Sequence, residues 1–265
     1  MLVISGNINS SRPGIDEMIE KRDQAMLIQM VRSSLSQGAE VISVNCGTRL
    51  GTEVDDIEWM VRSIMQEFEV PMCIDSPNVE AQKAGLSHIR TPRPIMDSIT
   101  ADPIRMKEFL PLAQRYQARV VALTMDEKGI PGSARDKLVM VQQMKEPLKA
   151  YGIPPEDVYL DPLLFPLGTD WNQGKEALEA IALFKREVPE YKVSIGLDNI
   201  SHGLPKRELL SGTFLAMAVA VGLDGAFIVL DEHANSLLVA LDALMGEDPY
   251  CKRYIQSYRQ GLLDI

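Results

Sequence analysis

The sequence predicts an α/β fold, a single (β/α)8 TIM barrel that takes in residues 1–265 as one domain. Three observations predict it. A short apolar strand, a polar loop and an amphipathic helix recur eight times along the chain. Most of the strands are continuously apolar, as parallel strands buried on both faces should be. The length of 265 residues falls in the usual range for one such barrel, and no low-complexity linker or charge run marks a boundary.

Taken in order, the strands are expected at 2–4, 40–45, 71–75, 94–97, 119–125, 158–161, 193–199 and 226–231. Between them the helices carry their own punctuation. Ile57, Met60, Val61, Ile64, Met65 and Phe68 form one stripe at helical spacing, which must pack against strands. Asp102 before Pro103 reads as an N-cap followed by proline at the first helical position, while Gly38 and Gly152 stand where helices should stop. Leu138, Val141, Met144 and Leu148 make a second stripe, with Pro147 expected to kink it near its end, and Ala177, Ala180, Ile181 and Phe184 make a third. An open doubly wound sheet would show fewer units and a glycine fingerprint after its first strand. Ser5-Gly6-Asn7-Ile8-Asn9 is not G-x-G-x-x-G, and no Walker A sequence occurs.

Composition removes several classes of function. A net charge of −10 without any basic stripe argues against a nucleic-acid partner, whose phosphates would demand clustered Lys and Arg. The N-terminus lacks the charged and apolar regions of a leader, and no run of 18 apolar residues follows, so a cytoplasmic enzyme without membrane association is expected. Cys46, Cys73 and Cys251 are odd in number and far apart, which suits reduced thiols. His88, His202 and His233 are equally scattered, so no intrinsic metal is expected.

In a barrel of this kind the chemistry sits at the C-terminal ends of the strands. Here those ends supply Asn7 or Asn9, Asn45, Asp75, Asp97, Thr124 to Asp126, Asp161, Asn199 and Asp231. Any one Asp after a strand is commonly a helix cap, and Asp231 reads as one. The set is harder to explain that way. Carboxylates converging on one mouth repel and lose hydration unless a ligand supplies hydrogen-bond donors. A divalent cation would want them compactly clustered, whereas a heterocycle rich in N–H groups would want them spread around its edge. A pterin is of the second kind, because its amino group and adjacent ring N–H form a two-pronged edge that matches one carboxylate.

These residues carry a resemblance. The stretches Val44-Asn45-Cys46-Gly47, Cys73-Ile74-Asp75-Ser76, Leu123-Thr124-Met125 with Gly129-Ile130-Pro131, Leu160-Asp161-Pro162-Leu163, Gly196-Leu197-Asp198-Asn199-Ile200-Ser201 and Thr213 to Ala218 follow in family order from Met1 to about Tyr250. The chain resembles the pterin-binding methyltransferases, above all the methyltetrahydrofolate:corrinoid protein methyltransferases of anaerobic bacteria. The resemblance implies that Asp75, Asp97 and Asp161 hold the pterin, with Asn45 and Gly196 lining it. It implies that Asn199 is catalytic, hydrogen-bonding the reactive N5, and that Arg207 stands near the entrance against folate or corrinoid. Read from the residue alone, Arg207 is equally a solvated helix arginine. The resemblance further implies tetrahydrofolate or 5-methyltetrahydrofolate as substrate, a corrinoid (cobalamin) supplied by a partner protein, and a homodimer. Three departures stand out: Ser5 to Asn9 in place of Gly-Glu-Arg-x-Asn, Ser43 in place of an aspartate, and Asp97 in place of an amide. Around Asn9, Ser43 and Asp97 they tilt the reading toward formation of 5-methyltetrahydrofolate, as in a demethylase system.

Two rivals are kept. A dihydropteroate synthase-like pterin enzyme would want a lysine after its sixth-strand loop and a Ser-x-Arg near the last strand, whereas Asp161 to Gly168 contains no lysine and Ala226 to Asp231 leads to no such arginine. A folate-binding barrel without chemistry would share the cup and lack methyl exchange. Zinc-assisted methyl transfer to a thiol lacks its Cys and His cluster. Asp231 to Ser236 resembles a D-x-H-x-x-G cobalt-ligand loop around His233, but the 29 residues that follow are too few for a nucleotide-fold corrinoid domain, so a core or capping role is expected.

Overall fold

The structure is a computed structural model, described for residues 1–263. Eight parallel strands close into a barrel in sequence order: β1 (Leu2–Asn9), β2 (Val41–Asn45), β3 (Met72–Asp75), β4 (Ile95–Thr100), β5 (Arg119–Leu123), β6 (Val158–Asp161), β7 (Lys192–Gly196) and β8 (Gly225–Ile228). Around them run α1 (Ile15–Glu20), α2 (Gln24–Ser36), α3 (Glu53–Glu67), α4 (Val79–His88), α5 (Pro103–Tyr116), α6 (Ala134–Ala150), α7 (Gln173–Glu187), α8 (Arg207–Ala220), α9 (Glu232–Leu244) and α10 (Lys252–Arg259). The (β/α)8 expectation is met.

Period-2 alternation divides each strand between two cores. Outward residues such as Ile42, Val44, Met72, Ile74, Val120 and Leu160 pack on the helices with Ile57, Met60, Phe109 and Phe184. Inward residues Ile4, Val41, Cys73, Ile95, Val121 and Tyr159 fill the barrel itself. Two residues further along each of four strands, the inward file becomes polar: Ser43, Asp75, Asp97 and Asp161. The same pleat that buries the lower layer therefore aims the upper one into the mouth.

Several expected boundaries move. β1 runs on to Asn9, with a register shift between Ser5 and Ile8, rather than stopping at Ile4. β5 and β8 end early, and β7 ends at Gly196, so Asn199 lies not on the seventh strand but in a 3-10 turn, Leu197–Asn199. Its backbone thus turns across the mouth. Asp102 caps α5 by accepting from the Ile104 amide at 2.8 Å, as read from the sequence. Gly38 and Gly152 follow α2 and α6 at φ of 99° and 70°, a left-handed conformation that only glycine adopts freely. Pro147 stands inside α6 without ending it. Of the expected stripe Val141, Met144 and Leu148 are buried and Leu138 is partly buried against the core, with Lys137 and Met140 buried beside them.

Candidate functional site

One cavity of about 680 Å³ opens at the C-terminal mouth, and Asn45, Asp75, Asp97, Asp161, Gly196, Asn199 and Arg207 all line it. That volume suits a small organic ligand. Ser43, Asn9, Arg12, Asp198 and His202 add polar lining, while Leu123, Leu164, Phe165 and Phe227 supply apolar walls. Among the described residues, no group of three or more His, Cys, Asp or Glu is gathered to hold a metal ion.

Helix capping does not account for the three aspartates. α4 is capped by Asn78 and α5 by Asp102, so Asp75 and Asp97 are free to face the cavity. α7 begins only at Gln173, twelve positions after Asp161, whose Oδ1 accepts from the Leu163 amide at 2.7 Å. Asp231, by contrast, caps α9 through the Ala234 amide at 2.8 Å, and it does not line the main cavity. Asn7 pairs with both backbone groups of Leu230 and so ties β1 to the end of β8. Thr124 is buried and donates to the Asp161 carbonyl at 2.9 Å. These two strand-end residues serve the frame.

Register sets the order of the cup. Asn45 pairs with Asp75 and Asp75 with Asp97 on successive strands, so an amide and two carboxylates stand side by side. Burial pushes Asp75 and Asp161 up to about 6, with the Asn45 amide and the Leu163 N–H acting in the opposite direction. Asp97 is held well above the usual carboxylate range, first by burial and then by the charges of Asp75 and Asp161. A ligand bearing N–H donors would relieve this desolvation.

Asn199 is exposed to the mouth. Gly196 lies directly beneath it, and a Cβ at that position would meet the Asn199 Nδ2 at 3.0 Å. Asp198 accepts from the Val229 amide at 2.9 Å, which fastens the turn to β8. Arg207 does stand at the entrance, but it is tethered: its guanidinium donates to the Asp198 carbonyl at 2.8 Å and to Ser201 Oγ at 3.3 Å. His233 lines a smaller neighbouring cavity of about 170 Å³ that shares Arg12, Asp198 and Arg207 with the main one.

Sequence reasoning missed three residues behind the cup. Gln82 is buried on α4, and its Nε2 reaches the carbonyls of Ile74, Ser76 and Asp97 at 2.9, 3.0 and 2.7 Å, joining the ends of β3 and β4. Glu53, buried at the start of α3, accepts from Ser76 Oγ at 2.6 Å and from the Asn78 amide at 3.2 Å. Lys137 is only 4% exposed, and the charges of Glu176 and Asp161 act on its ammonium against the effect of burial. Gln82 and Lys137 are polar residues on otherwise apolar helix faces, and that was the signal available, whereas Glu53 shares its buried face with Asp56 and Ser63.

A barrel with a polar cup at its C-terminal mouth defines the class, and a family model described as "Pterin binding enzyme" matches residues 7–229; the chain belongs to that family. Within it, the chain is 30% identical to the methylcorrinoid:tetrahydrofolate methyltransferase of Eubacterium limosum over 98% of its own length and 97% of that protein's, and it is a methyltransferase. It is 26% identical to methionine synthase of Mycobacterium tuberculosis over 88% of this chain, spanning 20% of that larger protein. Among solved structures it resembles dihydropteroate synthase of Yersinia pestis, with a TM-score of 0.71, 15% identity, and 92% and 93% of the two chains covered. Dihydropteroate synthase of Clostridium difficile, solved in the presence of pteroic acid, gives a TM-score of 0.71 at 15% identity, covering 92% and 96%. At that identity the likeness shows the fold alone.

Proposed function

We propose that the chain moves a methyl group between N5 of tetrahydrofolate and the cobalt of a corrinoid carried by a partner protein, in the direction that forms 5-methyltetrahydrofolate, as in a demethylase system. Residues 1–265 would act as one pterin-binding methyltransferase domain, and as a homodimer. The observation that carries the reading is the convergence of Asn45, Asp75, Asp97, Asp161 and Asn199 on one cavity of ligand size. The Eubacterium relative, matched over nearly its whole length, supports the choice of substrates.

The corrinoid supplies a methyl group on cobalt and takes back the bonding electron pair. This chain's part is positioning. The carboxylates hold the pterin's amino and ring N–H edge, which fixes N5 toward the open mouth. Asn199 meets the charge that develops on N5 as the new N–C bond forms and the N5 proton leaves. Leu50, Trp171 and Leu209, from loops and a helix start at this face, are 86%, 83% and 66% exposed and offer apolar surface to a docking protein.

The test mixes the protein with tetrahydrofolate and methylcobalamin and follows the cobalt absorbance. Loss of the methylcobalt spectrum with formation of 5-methyltetrahydrofolate is expected. Intact folate binding with no spectral change in either direction would leave a binding barrel, and turnover of a pterin diphosphate would replace the proposal with the synthase reaction. Sedimentation reports the homodimer.

A further inference from the structure

The three carboxylates of the cup have unequal neighbours. Asp75 has the Asn45 amide beside it on β2. Asp161 accepts a backbone N–H at 2.7 Å, and the charge of the buried Lys137 of α6 favours its anion. Asp97 pairs in register with Asp75 on one side and with Val121 on the other, so its flanks are a second carboxylate and an aliphatic side chain. Adjacent strands run roughly 4.8 Å apart, a spacing at which like charges side by side are unfavourable.

Of the other groups near Asp97, the Arg105 charge and a hydrogen bond from the Ser98 side chain favour its anion, but they do not outweigh burial and the two neighbouring carboxylates. Arg105 of α5 favours the Asp97 anion through its charge but makes no ion pair with it, its guanidinium donating to the Ser98 carbonyl at 2.7 and 3.2 Å and to the Pro77 carbonyl at 3.1 Å. Asp102 and Asp126 line the shallow side pocket that Asp97 shares with Arg105. Cys73, below on β3, is buried and its thiol is held protonated. Gln82 of α4 donates to the backbone carbonyl of Asp97 and makes no hydrogen bond to its carboxyl. Glu53 adds negative charge behind Asp75.

We propose that Asp97 carries a proton at neutral pH and meets the ligand as a carboxylic acid, so that the cup presents two carboxylates, on Asp75 and Asp161, and one O–H donor. This rests on the folate reading and deepens it. The bound heterocycle would offer N–H donors to Asp75 and Asp161 and an acceptor atom, a ring carbonyl or an unprotonated ring nitrogen, to Asp97. A protonated carboxyl has the shape and the donor-plus-acceptor pattern of a side-chain amide. Folate affinity should then fall on both sides of neutrality, at acid pH as Asp75 and Asp161 take up protons and at alkaline pH as Asp97 loses its own.

Two measurements test this. Infrared spectroscopy of the ligand-free protein at pH 7 should show a protonated-carboxyl stretch that Asp97→Asn removes. No such band in the wild type, or one that persists in Asp97→Asn, overturns the proposal whether or not the protein binds folate. Titration with tetrahydrofolate should find Asp97→Asn within about threefold of wild type at neutral pH but without the alkaline limb, and Asp97→Ala weaker by about tenfold. An Asp97→Asn variant as weak as Asp97→Ala, or one that keeps the alkaline limb, sinks it. If Asp97→Ala fails to fold, the wild-type and Asp97→Asn profiles decide. Absence of folate binding in the wild type refutes the folate reading and leaves the infrared result to judge the proton.

Discussion

The side-chain nitrogen of Gln82 lies 2.7 Å from the carbonyl oxygen of Asp97, and through it α4 grips the ends of the two strands that carry Asp75 and Asp97. Replacing Gln82 by Leu keeps the volume and removes its contacts to the carbonyls of Ile74, Ser76 and Asp97, of which the last still accepts from the Ser76 amide at 2.9 Å. The cost should be roughly 2–3 kcal/mol of stability, with folate binding weakened as the two aspartates lose alignment. Thermal unfolding and folate titration together check this. Unchanged affinity in a destabilised variant would assign Gln82 to the frame alone.

Asn199 should matter to the reaction more than to binding. Asn199→Ala is expected to lower methyl transfer by about two orders of magnitude while shifting folate affinity by less than about fivefold. Single-turnover kinetics alongside equilibrium binding separate the two. Equal losses would remove the catalytic role.

Gly196 gives an indirect handle on the same group. A methyl added there would stand 3.0 Å from Asn199 Nδ2, so the side chain must shift by a few tenths of an ångström. Gly196→Ala should cost about tenfold in turnover. In an Asn199→Ala background the same substitution should cost almost nothing, because the group it displaces is gone. Additive losses would contradict the mechanism.

The cup should also mark the pH dependence of stability. Asp161 in the folded chain is pushed up to about 6 from an ordinary value of 3.8. Its raised value means that the folded state binds the proton more tightly than the unfolded state, so its contribution to stability falls as pH rises through the window between these values, and the loss is complete above about 6. Asp161→Asn, which can still accept from Leu163, should therefore be more stable than wild type at pH 7 by roughly 1–3 kcal/mol, and the gap should close toward pH 4. Denaturant melts at the two pH values measure it. A variant less stable at neutral pH would show that Asp161 is stabilising as an anion.

Much of the barrel was legible along the chain, because strand and helix periods and caps are local properties. Asp102 before Pro103, Gly38 and Gly152 and the stripe through Ile57 all fell where expected. Asp75 and Asp161 were legible as strand ends, which a barrel gathers at one mouth, whereas Asp97, expected to end its strand, lies inside β4, which continues past a register shift to Thr100. Less was visible where a boundary depends on closure. Asn199 looks like the end of a long strand, yet pairing with β8 stops at Gly196 and the chain turns.

What the sequence by itself determined is the eightfold unit, the closed parallel barrel it builds and the residue types offered at its mouth, since hydrophobic period and strand-end position are written locally. Only the tertiary structure decided which of those residues stand side by side and what lies behind them. It set Asp97 against Asp75 and Val121, put Gln82 across β3 and β4, and brought the charge of Lys137 to bear on Asp161. The physical reason is that a carboxyl's charge state depends on the dielectric and on partners brought from distant parts of the chain by barrel register, and no local pattern encodes either.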